Sequence, residues 1–195
     1  MVIVLSAVTV LSGTLLGYMN EVTREPITQA NAKALSDAIE KVVPGFDNQP
    51  ADAPEVVQIG DKDYIIYKAT KGGNFIGAAV QSSAGGFSGD ISILVGFDAD
   101  GNIIDYSVLS HSETPGLGSK MDEWFRTDKN KQSIRGLNPG KESLRVSKDG
   151  GNVDAITAST ITSRAFLIAV NNAYQAYAAG DDTVMDAASG ATSKY

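Results

Sequence analysis

The sequence predicts an α+β protein in which helices cover an antiparallel sheet, preceded by one N-terminal transmembrane helix. An uncharged run lies at the N-terminus, strand-like runs follow between short glycine-containing turns, and an amphipathic helix comes after them. Short turns imply antiparallel pairing of neighbouring strands, because parallel strands need a crossover connection of about a dozen residues or more. The chain has 195 residues, 43% of them hydrophobic, which allows one folded domain with a short appendage.

The N-terminal run has the composition of a membrane span. Residues 2–18 contain no charge and no proline, and this length is at the short end of the roughly 17–25 residues that a transmembrane helix needs. A signal-peptide core is the alternative, but no basic segment precedes the run and Tyr18-Met19-Asn20 makes a poor cleavage site. We therefore assign residues 1–20 to an anchor, and we expect Met1 to be an internal methionine behind a short basic leader.

The remaining elements follow from periodicity and turn residues. Residues 21–46 are predicted to form a stalk helix with one apolar face, ended by Pro44-Gly45, and residues 48–55 are predicted to form a loop. The alternation from Ile91 to Phe97 predicts a sheet with one buried face. A short helix at residues 121–126 is expected to place Trp124 in the core. Strands are predicted at residues 64–70, 75–82, 91–97, 103–110 and, as a short one, 143–147.

The composition restricts the kinds of function that this chain can have. Its formal charge is −7 and its Lys and Arg residues are scattered, so nucleic acid is not an expected partner. It has no cysteine, which excludes disulfides, thiolate metal sites and cysteine-ligated iron–sulfur clusters. Asp98, Asp100 and Asn102 have the spacing of part of a calcium loop, but the glycine is misplaced, so they predict a hairpin turn. Redox chemistry would need a bound organic cofactor.

A cluster of hydroxyl-bearing and small residues stands just before the C-terminal amphipathic helix. Residues 154–164 read Asp-Ala-Ile-Thr-Ala-Ser-Thr-Ile-Thr-Ser-Arg, and from Phe166 the apolar residues have the spacing of a helix buried on one face. We expect Thr162 or Ser163 to cap the first turn. The free N–H groups and the positive dipole end of such a helix attract a phosphate. The simpler interpretation is that these hydroxyls only cap the helix.

A second motif follows the strand predicted at residues 103–110. It reads His-Ser-Glu-Thr-Pro-Gly-Leu-Gly-Ser-Lys over residues 111–120. Pro115, Gly116 and Gly118 force an irregular turn, because neither a helix nor a strand tolerates them at this density. The alternative is a structural loop that happens to hold the only histidine of the chain.

Both segments resemble motifs of one family, the covalent-FMN domains found in the G subunit of the Rnf electron-transport complex and in the C subunit of the sodium-translocating NADH:quinone reductase. Residues 157–162 resemble the flavinylation motif Ser/Thr-Gly-Ala-Thr-x-Ser/Thr, and residues 111–118 resemble the loop His-x-Glu-Thr-Pro-Gly-Leu-Gly. The resemblance implies that Thr160 carries FMN through its phosphate, with Thr162 and neighbouring backbone groups holding that phosphate. Ala158 and Ser159 replace the Gly and Ala of the motif, so Ala158 is expected to lose the positive φ of a glycine.

The resemblance also implies that the second motif lies against the isoalloxazine ring. The predicted FMN-binding residues are Thr157, Ala158, Ser159, Thr160, Ile161, Thr162 and Ser163 in the first motif, and His111, Glu113, Thr114, Gly116, Leu117, Gly118 and Lys120 in the second.

The function implied by the resemblance is that of an electron-transfer subunit in an ion-translocating ferredoxin:NAD oxidoreductase. Residues 47–180 would form the FMN-binding domain on the extracytoplasmic side of the inner (cytoplasmic) membrane, behind a single span. The implied partners are the other membrane subunits, especially the flavin-bearing D subunit, and a flavin transferase that attaches FMN. The alternatives are the C subunit of the quinone reductase, a membrane-anchored FMN-binding sensory domain, and a flavin-free interaction domain.

Residues 181–195 are assigned to a tail that holds a second copy of the motif, Ser-Gly-Ala-Thr at residues 189–192. It matches Gly-Ala-Thr more closely than the first copy does. Lys194, however, stands where the family has Ser or Thr, and only Tyr195 follows in the given sequence. No helix from these residues can donate N–H groups to a phosphate, so we predict that Thr160, and not Thr192, carries FMN.

Overall fold

The computed structural model describes residues 1–180, except for the side chains of Glu25, Ile27, Thr28 and Gln29. The predicted tail, with Thr192, lies outside the described residues. The chain divides into a first unit, Met1–Asp37, and a second that begins at Ala38.

A single helix, α1 (Val2–Val42), forms the first unit and enters the second. Pro26 lies inside it, and no interruption marks residue 21, where the sequence suggested a change from anchor to stalk. The segment Val2–Arg24 is long and apolar enough to cross a membrane, with a mean hydropathy of 2.0 and no burial inside the protein. It is the one such helix within residues 1–180.

The second unit contains a five-stranded antiparallel sheet whose strand order follows the sequence. Each strand pairs with the next one along the chain, as the short turns predicted, so the predicted fold class is confirmed. The predicted strands are β2 to β5; the first strand was missed, because its five residues follow a proline-containing segment assigned to a loop. The strands are β1 (Glu55–Ile59), β2 (Lys62–Lys71), β3 (Asn74–Gly85), β4 (Asp90–Asp98) and β5 (Ile103–Ser110).

One face of the sheet forms the main core with the C-terminal helix α3 (Thr160–Gly180). The apolar stripe of α3 lies on β3 and β4, where alternate residues such as Val80, Ile93 and Val95 are completely buried. Phe166 stacks on Phe125 with ring centroids 4.4 Å apart. Burial of such side chains is worth roughly 1.5–3 kcal/mol each, so this layer makes a large contribution to the stability of the domain.

The opposite face of the sheet is covered by the C-terminal end of α1. Ile39, Val42 and Val43 are buried there. Gly96 of β4 allows this contact, because a Cβ at that position would lie 2.1 Å from the backbone oxygen of Val42. The last turn of α1 therefore belongs to the folded domain.

The segment between β5 and α3 contains the short helix α2 (Met121–Trp124) and several turns. Trp124 is packed against the core as predicted, and its Nε1 donates to the backbone oxygen of Asp154 at 2.9 Å. The strand predicted at residues 143–147 is reduced to an isolated parallel bridge between Val146 and Val153. The backbone N–H and oxygen of Leu144 bond to the side chain of Asn171 on α3, at 3.0 and 2.9 Å, instead of to a neighbouring strand.

The turn between β4 and β5 is the predicted hairpin turn. Asp98 Oδ1 accepts hydrogen bonds from the backbone N–H groups of Asp100 and Asn102, at 3.0 and 2.8 Å. Backbone groups on the outer edge of β5 also find hydrogen-bond partners in the segment that follows. The backbone N–H of Ile103 donates to the backbone oxygen of Leu137, and the Arg126 guanidinium donates to the Asp105 carboxylate at 3.1 Å and to the backbone oxygen of Tyr106.

Candidate functional site

Three segments distant in sequence meet at one cleft of about 410 Å³. They are the turn between β3 and β4, the loop after β5, and the N-terminal end of α3. The cleft has the size of a small-molecule site, for which about 300–1,000 Å³ is usual. Its lining residues are Phe87, Glu113, Thr114, Leu117, Gly118, Ala158, Ser159, Thr160, Ile161 and Thr162.

Glu113 joins these three segments. It is 4% exposed. Its Oε1 accepts hydrogen bonds from the backbone N–H groups of Phe87 and Ser88, at 2.7 and 2.9 Å, and its Oε2 accepts one from the Thr162 hydroxyl at 2.5 Å. Burial raises the pKa of this carboxyl, but the hydrogen bonds and the neighbouring His111 outweigh burial, so the pKa lies below its usual value. Glu113 is therefore ionised at neutral pH.

Two glycines allow Glu113 to be enclosed in this way. A Cβ on Gly86 would lie 2.4 Å from Glu113 Oε1. A Cβ on Gly118 would lie 2.7 Å from Glu113 Oε2 and 2.8 Å from Thr162 Oγ1. Any larger residue at these positions would push the carboxylate away from its hydrogen-bond donors.

Helix α3 begins at Thr160, two residues before the predicted cap at Thr162. The predicted cap at Thr162 or Ser163 is wrong. The Ser163 hydroxyl is buried, accepts from the backbone N–H of Ile156 at 2.9 Å and donates to the backbone oxygen of Ser159 at 2.9 Å, while the Thr162 hydroxyl donates to Glu113. Ser163, within the first turn of α3, therefore holds the preceding turn through its side chain, and Thr162 is bonded to the loop after β5.

Ala158 has a φ of +61°, the left-handed conformation that glycine adopts most easily. The expectation that Ala158 would lose the positive φ of the family glycine is therefore wrong. The backbone at residue 158 has the left-handed conformation although the residue is alanine, so this conformation is strained. This turn leaves the backbone N–H groups of Thr160, Ile161 and Thr162 without an acceptor among the described residues.

The structure brings most of the predicted residues of both motifs to the cleft, but not all of them. Thr157 is exposed beside it and Ser163 faces the core. Gly116 lies in the exposed turn, and Lys120 lines a different cleft with Trp124. His111 Nδ1 accepts a hydrogen bond from the backbone N–H of Glu113 at 3.1 Å, so the histidine orients the loop from behind.

Phe87 lines the cleft and was not predicted. It is 67% exposed, in a Gly-Gly-Phe-Ser-Gly turn over residues 85–89. With Leu117 and Ile161 it forms an apolar rim, one residue from each of the three segments. An aromatic residue between glycines, where a turn normally has polar residues, was the available signal.

The cleft combines features that suit a flavin nucleotide. The half-buried Thr160 lies at the N-terminal end of α3, where the helix has free N–H groups and the positive end of its dipole. These features fit a phosphate. The apolar rim fits the flat surface of an isoalloxazine ring. Arg164, just inside α3, forms two 2.7 Å contacts with Asp149 and holds the preceding loop against the helix. Thr160 both lines the cleft and begins α3.

Comparisons with known proteins identify the family. The sequence model of the FMN-binding domain family matches residues 86–175. The G subunit of the ion-translocating oxidoreductase complex of Vibrio vulnificus is 38% identical over 162 residues, 77% of this chain and 75% of that protein. The same subunit from Aliivibrio fischeri is 36% identical over 166 residues, 80% of this chain and 78% of that one.

Solved structures share the fold. The C subunit of the Na⁺-translocating NADH-quinone reductase from Parabacteroides distasonis has a TM-score of 0.56 at 18% identity, over 79% of this chain and 94% of that one. NqrC of Shewanella oneidensis has a TM-score of 0.51 at 17% identity, over 73% and 91%. By its identity to the curated relatives, the chain belongs to the family of G subunits of ion-translocating oxidoreductase complexes, and it contains an FMN-binding domain.

Proposed function

We propose that this chain is the electron-transfer G subunit of an Rnf-type ion-translocating ferredoxin:NAD oxidoreductase, with FMN bound covalently through a phosphoester to Thr160. The position of Thr160 carries the proposal. It is the first residue of α3, it lines the cleft, and it lies beside N–H groups that lack an acceptor within the described chain.

The residues of the chain would have separate tasks in holding the nucleotide. The N–H groups of Thr160, Ile161 and Thr162 would bind the phosphate oxygens, with the helix dipole adding about 0.3–1 kcal/mol, or up to about 2 kcal/mol in a partly buried site. The Thr162 hydroxyl is already donated to Glu113, so we assign only the backbone of Thr162 to the phosphate. This narrows the role that the sequence motif implied for that residue.

The apolar rim would hold the ring and exclude water from one side of it. Phe87, Leu117 and Ile161 offer large apolar surfaces at the mouth of the cleft. FMN bound there supplies the redox chemistry, accepting and passing on electrons, whereas the protein orients it and sets its surroundings. Covalent attachment would keep the nucleotide from being lost by diffusion.

We further propose that Val2–Arg24 is a single membrane span and that the FMN domain lies on the extracytoplasmic side of the inner membrane. The length and hydropathy of the helix support the span. The proposed partners are the other membrane subunits of the complex, in particular the flavin-bearing D subunit, and a flavin transferase. A role as the C subunit of the quinone reductase is less favoured, because the solved structure of that protein shares 18% identity with this chain against 38% for a G subunit.

The test is to express the full chain with a flavin transferase and to look for a fluorescent band under ultraviolet light in a denaturing gel. Thr160→Ala should abolish the band, and Thr160→Ser should retain some of it, because the hydroxyl remains. Thr127→Ala is the matched control, since Thr127 is an exposed threonine outside both motifs that does not line the cleft. Thr192→Ala should keep the band. Loss of fluorescence in Thr192→Ala, or two FMN-bearing peptides by mass spectrometry, would contradict the assignment.

A further inference from the structure

We propose that Glu113 is a positioning residue that ties the three walls of the cleft together, and that its negative charge lowers the reduction potential of the flavin held there. The inference rests on the proposed function for the presence of the flavin. It gives Glu113 a role that does not depend on direct contact with the flavin.

The positioning role follows from the three donors to one carboxylate. Oε1 holds the backbone of Phe87 and Ser88, which sets the position of the Phe87 ring at the rim. Oε2 holds the Thr162 hydroxyl at 2.5 Å and so ties in the first turn of α3. The loop that carries Glu113 forms the third wall. Both oxygens are occupied by donors inside the protein, so Glu113 organises the cleft and need not bind the ligand.

The electrostatic role follows from the lack of an ion pair at this carboxylate. None of the ion pairs formed within residues 1–180 includes Glu113, and its charge is offset mainly by hydrogen bonds from neutral groups. Each electron that the flavin accepts adds a negative charge to the same cleft unless a proton follows. Two like charges at the low effective dielectric of a protein repel each other more strongly than in water. The carboxylate therefore opposes reduction of the flavin.

The first test uses Glu113→Gln in the flavin-loaded full chain in detergent. The amide oxygen can still accept from Phe87 and Ser88, so the wall is kept while the charge is removed. Glu142→Gln is the matched control, since Glu142 is exposed and lies away from the cleft. In a potentiometric titration with dithionite as the reductant, Glu113→Gln should shift the midpoint potential positive. Glu142→Gln should leave it at the wild-type value.

A second variant separates charge from a general disturbance of the cleft. Thr162→Val keeps the shape of the side chain but removes one donor from the carboxylate, so the charge of Glu113 is less well compensated. Loss of this donor also raises the pKa of Glu113, so the titration is done at about pH 8, far above the usual pKa of a carboxyl. The midpoint potential should then shift negative, opposite to the shift in Glu113→Gln. A merely structural role would not produce shifts of opposite sign.

The outcomes separate this inference from the proposed function. An unchanged midpoint potential in Glu113→Gln, or shifts of the same sign in both variants, would overturn the inference. If Glu113→Gln does not take up flavin, the sign of the Thr162→Val shift decides alone, and a positive or absent shift would overturn it. A wild-type chain that takes up no flavin would instead overturn the proposed function.

Discussion

The left-handed backbone at Ala158 predicts that Ala158→Gly stabilises the domain. A non-glycine residue in this conformation costs about 1–2 kcal/mol, and Ala158 has a φ of +61°. Glycine removes that strain but adds freedom to the unfolded chain, which lowers stability by about 0.4–1 kcal/mol. The net gain is therefore about 0.5–1 kcal/mol.

Thermal unfolding of the flavin-free protein in detergent is the appropriate assay, because bound flavin would add its own stabilisation. For a domain of this size, 1 kcal/mol corresponds to about 2–4 °C, so Ala158→Gly should raise the Tm by about 1–4 °C. Ala178→Gly is the matched control, because it makes the same chemical change inside α3. There glycine is unfavourable by about 1 kcal/mol, and the Tm should fall by about 2–4 °C.

The two alanines thus give opposite signs if the reasoning is correct. A fall in Tm for Ala158→Gly as large as that for Ala178→Gly would refute it. Residue 158 would then have an ordinary backbone conformation, and the family glycine would have no conformational reason for its position.

Three other predictions concern the cleft and the anchor. Because the pKa of Glu113 is lowered on folding, its carboxylate stabilises the protein above the unfolded value near 4.5, and this contribution is lost as the pH falls through the folded pKa; the Tm should therefore drop less on acidification in Glu113→Gln than in the wild type. Gly118→Ala should cost about 1–3 kcal/mol by overpacking and alter the flavin spectrum, whereas Gly116→Ala, the reverse of the change at residue 158, should cost about 0.5–1 kcal/mol through its positive φ and leave the spectrum unchanged. The full chain should stay with membranes through a carbonate wash, and its release intact would contradict the span at Val2–Arg24.

The sequence predicted the sheet well because local signals determine it. Alternating residues and glycine-containing turns specify β2 to β5, and neighbouring strands pair. Strand β1 has five residues and lies next to a proline-rich loop. Its own residues therefore give little signal, and it becomes a strand by pairing with β2 in the folded domain. The start of α3 was misplaced because Ser159, Thr160, Thr162 and Ser163 are all competent caps. Only the positive φ of Ala158 and the inward bonds of Ser163 decide among them.

The two sequence motifs predicted most of the residues that line the cleft, because each motif is continuous in sequence. The sequence predicted that Glu113 and Thr162 both belong to the site, but it did not predict their contact. No local pattern shows that residues 49 positions apart share a hydrogen bond. Phe87 was missed for a related reason. A turn residue between two strands becomes part of a site only when another segment, here the loop that carries Glu113, is folded against it.

The order of the strands in the sheet has a consequence for biosynthesis. The strands pair in the order in which they are synthesised, so each new strand can pair with one that has already been made. Helix α3 is the last described element, and its first turn closes the cleft onto Glu113. If FMN is attached as we propose, a transferase that recognises the closed cleft would modify only chains in which α3 has docked. The attached flavin would then mark completed folding, and unfinished chains would remain colourless.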